Sequence, residues 1–381
     1  MKNIKYRPIN WTDGVKLSSA HFMHSHHASV EQHQCLAERL ITPFNYGLGD
    51  NFGADREAVN FILSGDSPST MRLELQHCSG ITETGLAVLY TKELYDGLTV
   101  YTDLLEEAHY DDGTQFFVVV SVSPDKMCPV GIPDPNVEPL HHPYVLPEVK
   151  LHLVPESQLN FGIRGANLLV IGLLEYKNGL LVENQEYIPP VQRLIYSPKA
   201  MDYYHTLLSL LQRVNGYAKL IYRKNIRDNR RTALVDNTFM LCDAFIMFYN
   251  QHIFELSEML PHSAPILLFQ KMQIMGQELL STFMRMYEPE YEALLQYFYT
   301  WTDTTPAEME HQIGLLATTR YSHIDIHSGL GQILASTRTI EKIFAKMSEL
   351  EYVGVIRENI IISEETSETE PQTKKSWRII G

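Results

Sequence analysis

The chain has 381 residues, of which 44% are hydrophobic and 20% charged, and a formal net charge of −15. This is the composition of a folded protein with more than one core, and its excess of carboxylates repels a phosphate backbone, so nucleic acid is not expected as a partner. No stretch approaches the ~18 apolar residues of a membrane span and MKNIKYRPINW lacks the apolar run of a signal peptide, so a cytoplasmic chain without direct membrane insertion is expected.

The first distinctive stretch is INWTDGVKLSSAHFMHSHHASVEQHQ, residues 9–34, with His21, His24, His26, His27 and His33. On a helix His24 and His27 share a face, and a third ligand has to come from His21 or from elsewhere in the fold. No Asp or Cys lies between His21 and His27 to orient the rings, the nearest being Glu31 and Cys35, so solvated or interface histidines are expected and no metal. Trp11, Asp13, Gly14, Leu17, His21 and Phe22 have the composition of a docking element, in which aromatics bury large area and a glycine permits close backbone approach. Trp11 and Phe22 also suit anchors of the chain's own core, and composition does not separate the two.

From about residue 60 to 190 the pattern is that of strands: RLELQ (72–76), AVLYTKEL (87–94), FFVVVSVS (116–123) and VKLHLVP (149–155). Asn178-Gly179 between two apolar runs predicts a tight hairpin, since both residues tolerate positive φ. The prolines at 124, 129, 133, 135, 139, 143, 147 and 155 remove ladder donors and predict surface connections or edge strands. Residues 1–195 therefore read as a β-sandwich or barrel.

Ser197-Pro198 is a helix-start signal. Beyond it, Tyr204, Leu207, Leu211, Val214, Ala218 and Ile221 follow a 3-4 spacing. Phe269, Met272, Gly276, Leu279, Phe283 and Met286 repeat it, as do Leu330, Ile333, Thr337, Ile340, Phe344 and Met347, so residues 196–350 predict a helical bundle with three apolar seams. Residues 233–260 are apolar on nearly every side, and sister subunits are the expected source of cover, with a larger intramolecular bundle as the alternative. Residues 351–381 hold a strand-like YVGVIRENIIIS, a polar spacer and SWRII, which either pairs with it or serves as a docking motif.

Chemistry has few footholds. No P-loop, G-x-G-x-x-G, H-E-x-x-H, G-x-S-x-G or EF-hand pattern occurs, so neither an enzyme nor a cofactor is expected. Cys35, Cys78, Cys128 and Cys242 form no C-x-x-C pair and predict small core residues. Glu106-Glu107 and Asp111-Asp112 lie in turn-like stretches, where solvated loops are the rule.

Trp11, Gly14, Leu17, His21 and Phe22 stand at the positions of W-x-x-G-x-x-L-x-P-x-H-F, the opening pattern of the type VI secretion baseplate family TssK, which the chain resembles. VEPLHHPYVLPEVKLHLV, EYIPPVQRLIYSP, HSAPILLFQKMQIMGQELLSTF and YSHIDIHSGLGQIL extend the resemblance over residues 9–350. It implies a phage-receptor-binding-protein-like β shoulder and a helical neck that makes a homotrimer, and the spaced residues Leu207, Leu211, Val214, Ile221, Leu279, Phe283, Ile333, Ile340 and Phe344 are expected to seam either that trimer or the bundle itself. It further implies docking of Trp11, Asp13, Gly14, Leu17, His21 and Phe22 on the wedge proteins TssF and TssG of an inner-membrane-docked baseplate. Ser18-Ser19-Ala20 replaces the stretch that carries the family's proline. Residues 351–381 are too few for the usual head, so a different membrane-anchor component is expected, reached through Tyr352–Ile362 or SWRII. A trimeric receptor- or carbohydrate-binding module is the alternative function.

Overall fold

A computed structural model describes residues 5–50, 57–65, 71–103, 110–158, 167–228 and 231–355. Helix α1 (Ser19–Leu40) precedes every strand, which the strand-first reading did not anticipate. Only Ala28 of α1 is fully buried, so the helix has no continuous apolar stripe for periodicity to detect.

Two antiparallel sheets follow. The first contains β1 (Gly47–Leu48), β2 (Val59–Ser64), β3 (Arg72–Ile81), β4 (Ala87–Thr91) and β5 (Val100–Asp103), with β3 pairing with each of the others. The second is ordered β7-β6-β8-β9, from β6 (Gln115–Val130), β7 (Tyr144–Pro155), β8 (Leu168–Lys177) and β9 (Leu180–Glu183). Phe116, Val118, Val120 and Val122 of β6 join Leu73, Leu75 and Tyr90 in the main core. Phe117 and Val119 point the other way and are covered by Tyr187 and Ile324. A strand buried on both faces has no polar side to show, hence the unbroken apolar run.

The proline positions follow from this sheet order. Beyond Ser121 strand β6 loses β8 and pairs with β7 alone, so a long hairpin runs past the sheet with its prolines on edges or at the tip. Between β8 and β9, Asn178 (φ 52°) and Gly179 (φ 83°) make the expected tight turn.

After a 3-10 turn at Leu194–Tyr196, helix α2 (Pro198–Asp228) begins as its start signal requires, with Ser197 Oγ accepting from the Ala200 N–H at 3.2 Å. The other helices are α3 (Ala233–Phe254), α4 (Ile266–Met284), α5 (Glu288–Thr302), α6 (Pro306–Thr318) and α7 (Ile326–Glu349). Helix α2 packs on α3 and α7, α4 on α3 and α6, and α6 on α7, while α5 lies against α3, α6 and α7.

This closure covers the seams within one chain, the intramolecular alternative left open by their spacing. Leu207, Leu211, Val214 and Ile221 on α2, Leu279 and Phe283 on α4, and Ile333, Ile340 and Phe344 on α7 are all buried within one chain. Ile221, Leu279, Phe283, Ile340 and Phe344 converge on one another, together with Leu241 and Phe298. A 3-4 spacing reveals that a helix has an apolar face, but not whose surface covers it.

The strands and helices share one continuous core, from Tyr46 to Val353. Leu48 pairs with the segment before the bundle through Leu48 N–H to Pro190 O (2.7 Å) and Gln192 N–H to Leu48 O (2.9 Å). The Tyr187 hydroxyl donates to Ile324 O at 2.8 Å. Of the cysteines, Cys78 and Cys242 are buried while Cys35 and Cys128 are half-buried, and burial pushes the Cys78 thiol up to about 12. The strand expected over 352–363 is described only to Val355, where it is turns: Val353 N–H donates to Asn225 Oδ1 (2.9 Å) and Gly354 N–H to the Tyr297 hydroxyl (2.9 Å). The remainder of that stretch and SWRII lie outside the described residues.

Candidate partner-docking surfaces

Residues 5–18 precede α1, and the first of them pack against it. The Lys5 and Tyr6 N–H groups donate to the Glu31 carboxylate at 2.9 and 2.7 Å, and the Tyr6 ring stacks on His27 (4.8 Å between centroids) and meets His24 edge-on (5.5 Å). Val15 N–H donates to Thr12 O at 3.3 Å across a turn whose third residue, Gly14, takes φ 85°, a value that costs glycine nothing. The turn returns Trp11 to the start of α1, 6.1 Å from the rings of both His21 and Phe22. Ser18 Oγ sits 3.1 Å from His21 Nδ1.

The outcome is an aromatic cluster outside the core. Trp11 is 48% exposed, and Asp13, Gly14, Leu17 and Phe22 are exposed with it, while His21 is half-buried. Trp11 and Phe22 therefore do not anchor the chain's own core. Helix α1 is fastened chiefly at its other end, where Gln34 Nε2 donates to Thr84 O (3.2 Å) and Ala37 packs against Gly85. Two of the histidines, His24 and His27, are occupied with Tyr6. Among the described residues no three His, Cys, Asp or Glu side chains are grouped to hold a metal ion.

A second surface lies on the bundle, within the stretch 233–260 that is apolar on nearly every side. Met240, Ala244, Met247, Gln251 and Phe254 recur at a 4-3-4-3 spacing along the outer side of α3. Met247 is 59% exposed. Ile274, Gln277, Ser281 and Met284 of α4 oppose this stripe, and Met284 is 75% exposed. Between the helices runs an open groove of about 830 Å³, in which burial raises the carboxyl pKa of Glu278. At its upper end Lys271 pairs with Glu255 and holds that carboxyl below its usual range, with His252 Nδ1 3.6 Å from the same carboxylate. The 4-3 spacing was present in a helix apolar on nearly every side, but methionine, alanine and glutamine make a weaker stripe than the phenylalanines facing inward.

No family model and no curated protein matches the sequence. The fold is similar to solved TssK structures. A crystal structure of TssK is 16% identical, with a TM-score of 0.53 over 88% of this chain and 69% of that one. TssK from the EAEC type VI secretion system, in complex with a nanobody, is 14% identical, with a TM-score of 0.50 over 83% of this chain and 97% of that one. A chain of the TssK-TssF-TssG baseplate subcomplex, solved by cryo-electron microscopy, is 15% identical, with a TM-score of 0.50 over 88% and 99%. From the N-terminal strands through the helical bundle, this chain has the fold of TssK.

Proposed function

We propose that the chain is a structural adaptor of a type VI secretion baseplate, without enzymatic activity, that joins wedge proteins of the TssF and TssG kind to a membrane-anchor component. The TssK fold over 88% of the chain carries this reading, and the exposed Trp11–Phe22 cluster supplies a surface on which a wedge protein can dock. No helix among the described residues is long and apolar enough to cross a membrane, in keeping with an anchor supplied by another protein.

The proposed assembly is a homotrimer, and its seam is the outer stripe of α3 rather than the inward seams. The Met240–Phe254 stripe and the α4 residues across the cleft, among them Met284, form one uncovered face that a neighbouring chain can cover. Light scattering on the full chain alone, then with a TssF–TssG complex, tests both parts. Trimer mass and a stable co-complex are expected; a monomer that ignores the wedge proteins overturns the reading.

A further inference from the structure

Residues 356–381 lie outside the described residues, and their sequence has two unlike parts. Residues 363–373, SEETSETEPQT, are polar and acidic. Residues 374–380, KKSWRII, combine Lys374, Lys375 and Arg378 with Trp377, Ile379 and Ile380. A basic, apolar segment behind a polar spacer has the composition of a docking peptide whose site lies elsewhere.

The last described residues fix where this segment starts. Lys224 Nζ donates to Leu350 O at 3.0 Å, Val353 N–H to Asn225 Oδ1 and Gly354 N–H to the Tyr297 hydroxyl, so the chain is tied to the C-terminal end of α2 and leaves the bundle there. One turn back on α2, the Tyr222 ring stacks on Phe239 of α3, 4.3 Å between centroids, and its hydroxyl donates to Phe239 O at 3.1 Å. Phe239 precedes Met240, the first residue of the outer stripe, and the Asp243 carboxylate of the α3–α4 cleft lies against the same tyrosine. One helical turn and one helix-to-helix spacing therefore separate the exit from the cleft, roughly 15 Å. A coil of about 20 residues, the length of 356–375, spans about 25 Å.

Length and charge both suit the cleft. The α3 stripe runs about 16 Å from Met240 to Gln251, and five extended residues such as 376–380 cover about the same distance. Asp243 and Glu278 line the cleft, and burial raises the Glu278 carboxyl more than the neighbouring His252 lowers it. A cation brought to Glu278 relieves that cost. Arg285, the cation among the described lining residues, is directed to Thr282 Oγ1 at 3.0 Å. Met240, Met247 and Met284 are unbranched and polarizable, which lets them shape themselves around a large ring such as that of Trp377.

We infer that residues 374–380 seat in the α3–α4 cleft of their own chain, with Lys374, Lys375 and Arg378 towards its carboxylates and Trp377 among its methionines. The tether decides which chain supplies the segment, because a partner joined by a short linker acts at millimolar effective concentration and outcompetes a second copy at micromolar protein. The contact covers the face on which a neighbouring chain docks, so the tail and the neighbour exclude each other and assembly requires the tail to leave. Only that consequence rests on the trimeric reading above.

The test places p-benzoylphenylalanine at Ser281, an exposed residue of the cleft, in the full chain, and irradiates an equal mixture of light and isotope-labelled heavy protein. Adducts to residues 374–380 that stay within one chain are expected. Lys374→Glu, Lys375→Glu and Arg378→Glu together should lower their yield at least about fivefold. The same three changes without the photoreactive residue should lower, by a similar factor, the protein concentration at which half of the chain is trimeric, read by light scattering across a dilution series. Tail adducts that join heavy to light chains, or no adducts on 374–380, overturn the contact and leave the helical seam standing. An unchanged trimer midpoint overturns the exclusion. Intrachain adducts in a chain that stays single at every concentration uphold the contact and overturn the trimer instead.

Discussion

His323 Nε2 lies 2.8 Å from the carbonyl oxygen of Tyr46, a residue 277 positions earlier. A carbonyl can only accept, so Nε2 carries the proton and Nδ1 is left to accept from the Tyr321 hydroxyl at 2.5 Å. The ring of Tyr46 meets the imidazole edge-on, 4.5 Å between centroids. One neutral histidine thus ties the strand region to the loop that leads into α7.

Burial pushes the His323 imidazole down to about 4, against the weaker upward pull of the Tyr46 carbonyl. The unfolded chain takes up a proton near pH 6.5 that the folded chain refuses until about 4, so the contribution is complete above 6.5 and declines as pH falls towards 4. The loss attributable to this group is on the order of 3 kcal/mol. Urea midpoints measured across that window should fall less steeply for His323→Phe than for the native chain, although the variant is less stable at pH 7. Parallel profiles would remove the histidine from the account.

Gly276 of α4 sits where a Cβ would come within 2.5 Å of the Ala317 backbone nitrogen of α6. On an exposed helix Gly→Ala stabilises by about 1 kcal/mol. Here the two backbones touch, and Gly276→Ala is expected to cost about 1–3 kcal/mol instead. The sign of the change in a denaturation curve decides whether α4 and α6 approach this closely.

Met247→Glu and Leu211→Ala should divide the two kinds of helix face. Met247 lies on the outer stripe, so its charge variant is expected to lower the solution mass to that of a single chain with the helical circular dichroism unchanged. Leu211 is buried inside the bundle, and its truncation should cost about 2–5 kcal/mol of stability. If Met247→Glu keeps the trimer, the outer stripe is not the seam.

Trp11→Ala removes a half-exposed ring whose contacts include His21 and Phe22. Its melting temperature should match the native chain, while affinity for a TssF–TssG complex falls by on the order of 2 kcal/mol if the ring is a docking anchor. Titration calorimetry with the wedge complex reads the loss directly, and equal affinities would displace the docking surface from this segment.

Much of the fold could be read along the chain, because the signals were local. The Asn178-Gly179 turn, the Ser197-Pro198 helix start and the apolar run of β6 depend on residues close to one another. Helix α1 escaped because it buries only Ala28 and shows no periodic face. The aromatic cluster was legible as a set of residue types, but the choice between core and surface required the position of the Gly14 turn relative to everything else.

Sequence alone determined which helix faces are apolar, where the hairpin turns and where strands give way to helices, since backbone preference and side-chain spacing are properties of neighbouring residues. Only the tertiary structure decided that Leu211, Phe283 and Phe344 are covered by the same chain while Met247 and Met284 are left uncovered. Cover depends on which segments, far apart in the chain, come to lie against one another, and identical spacing on two faces of one helix carries no record of that choice.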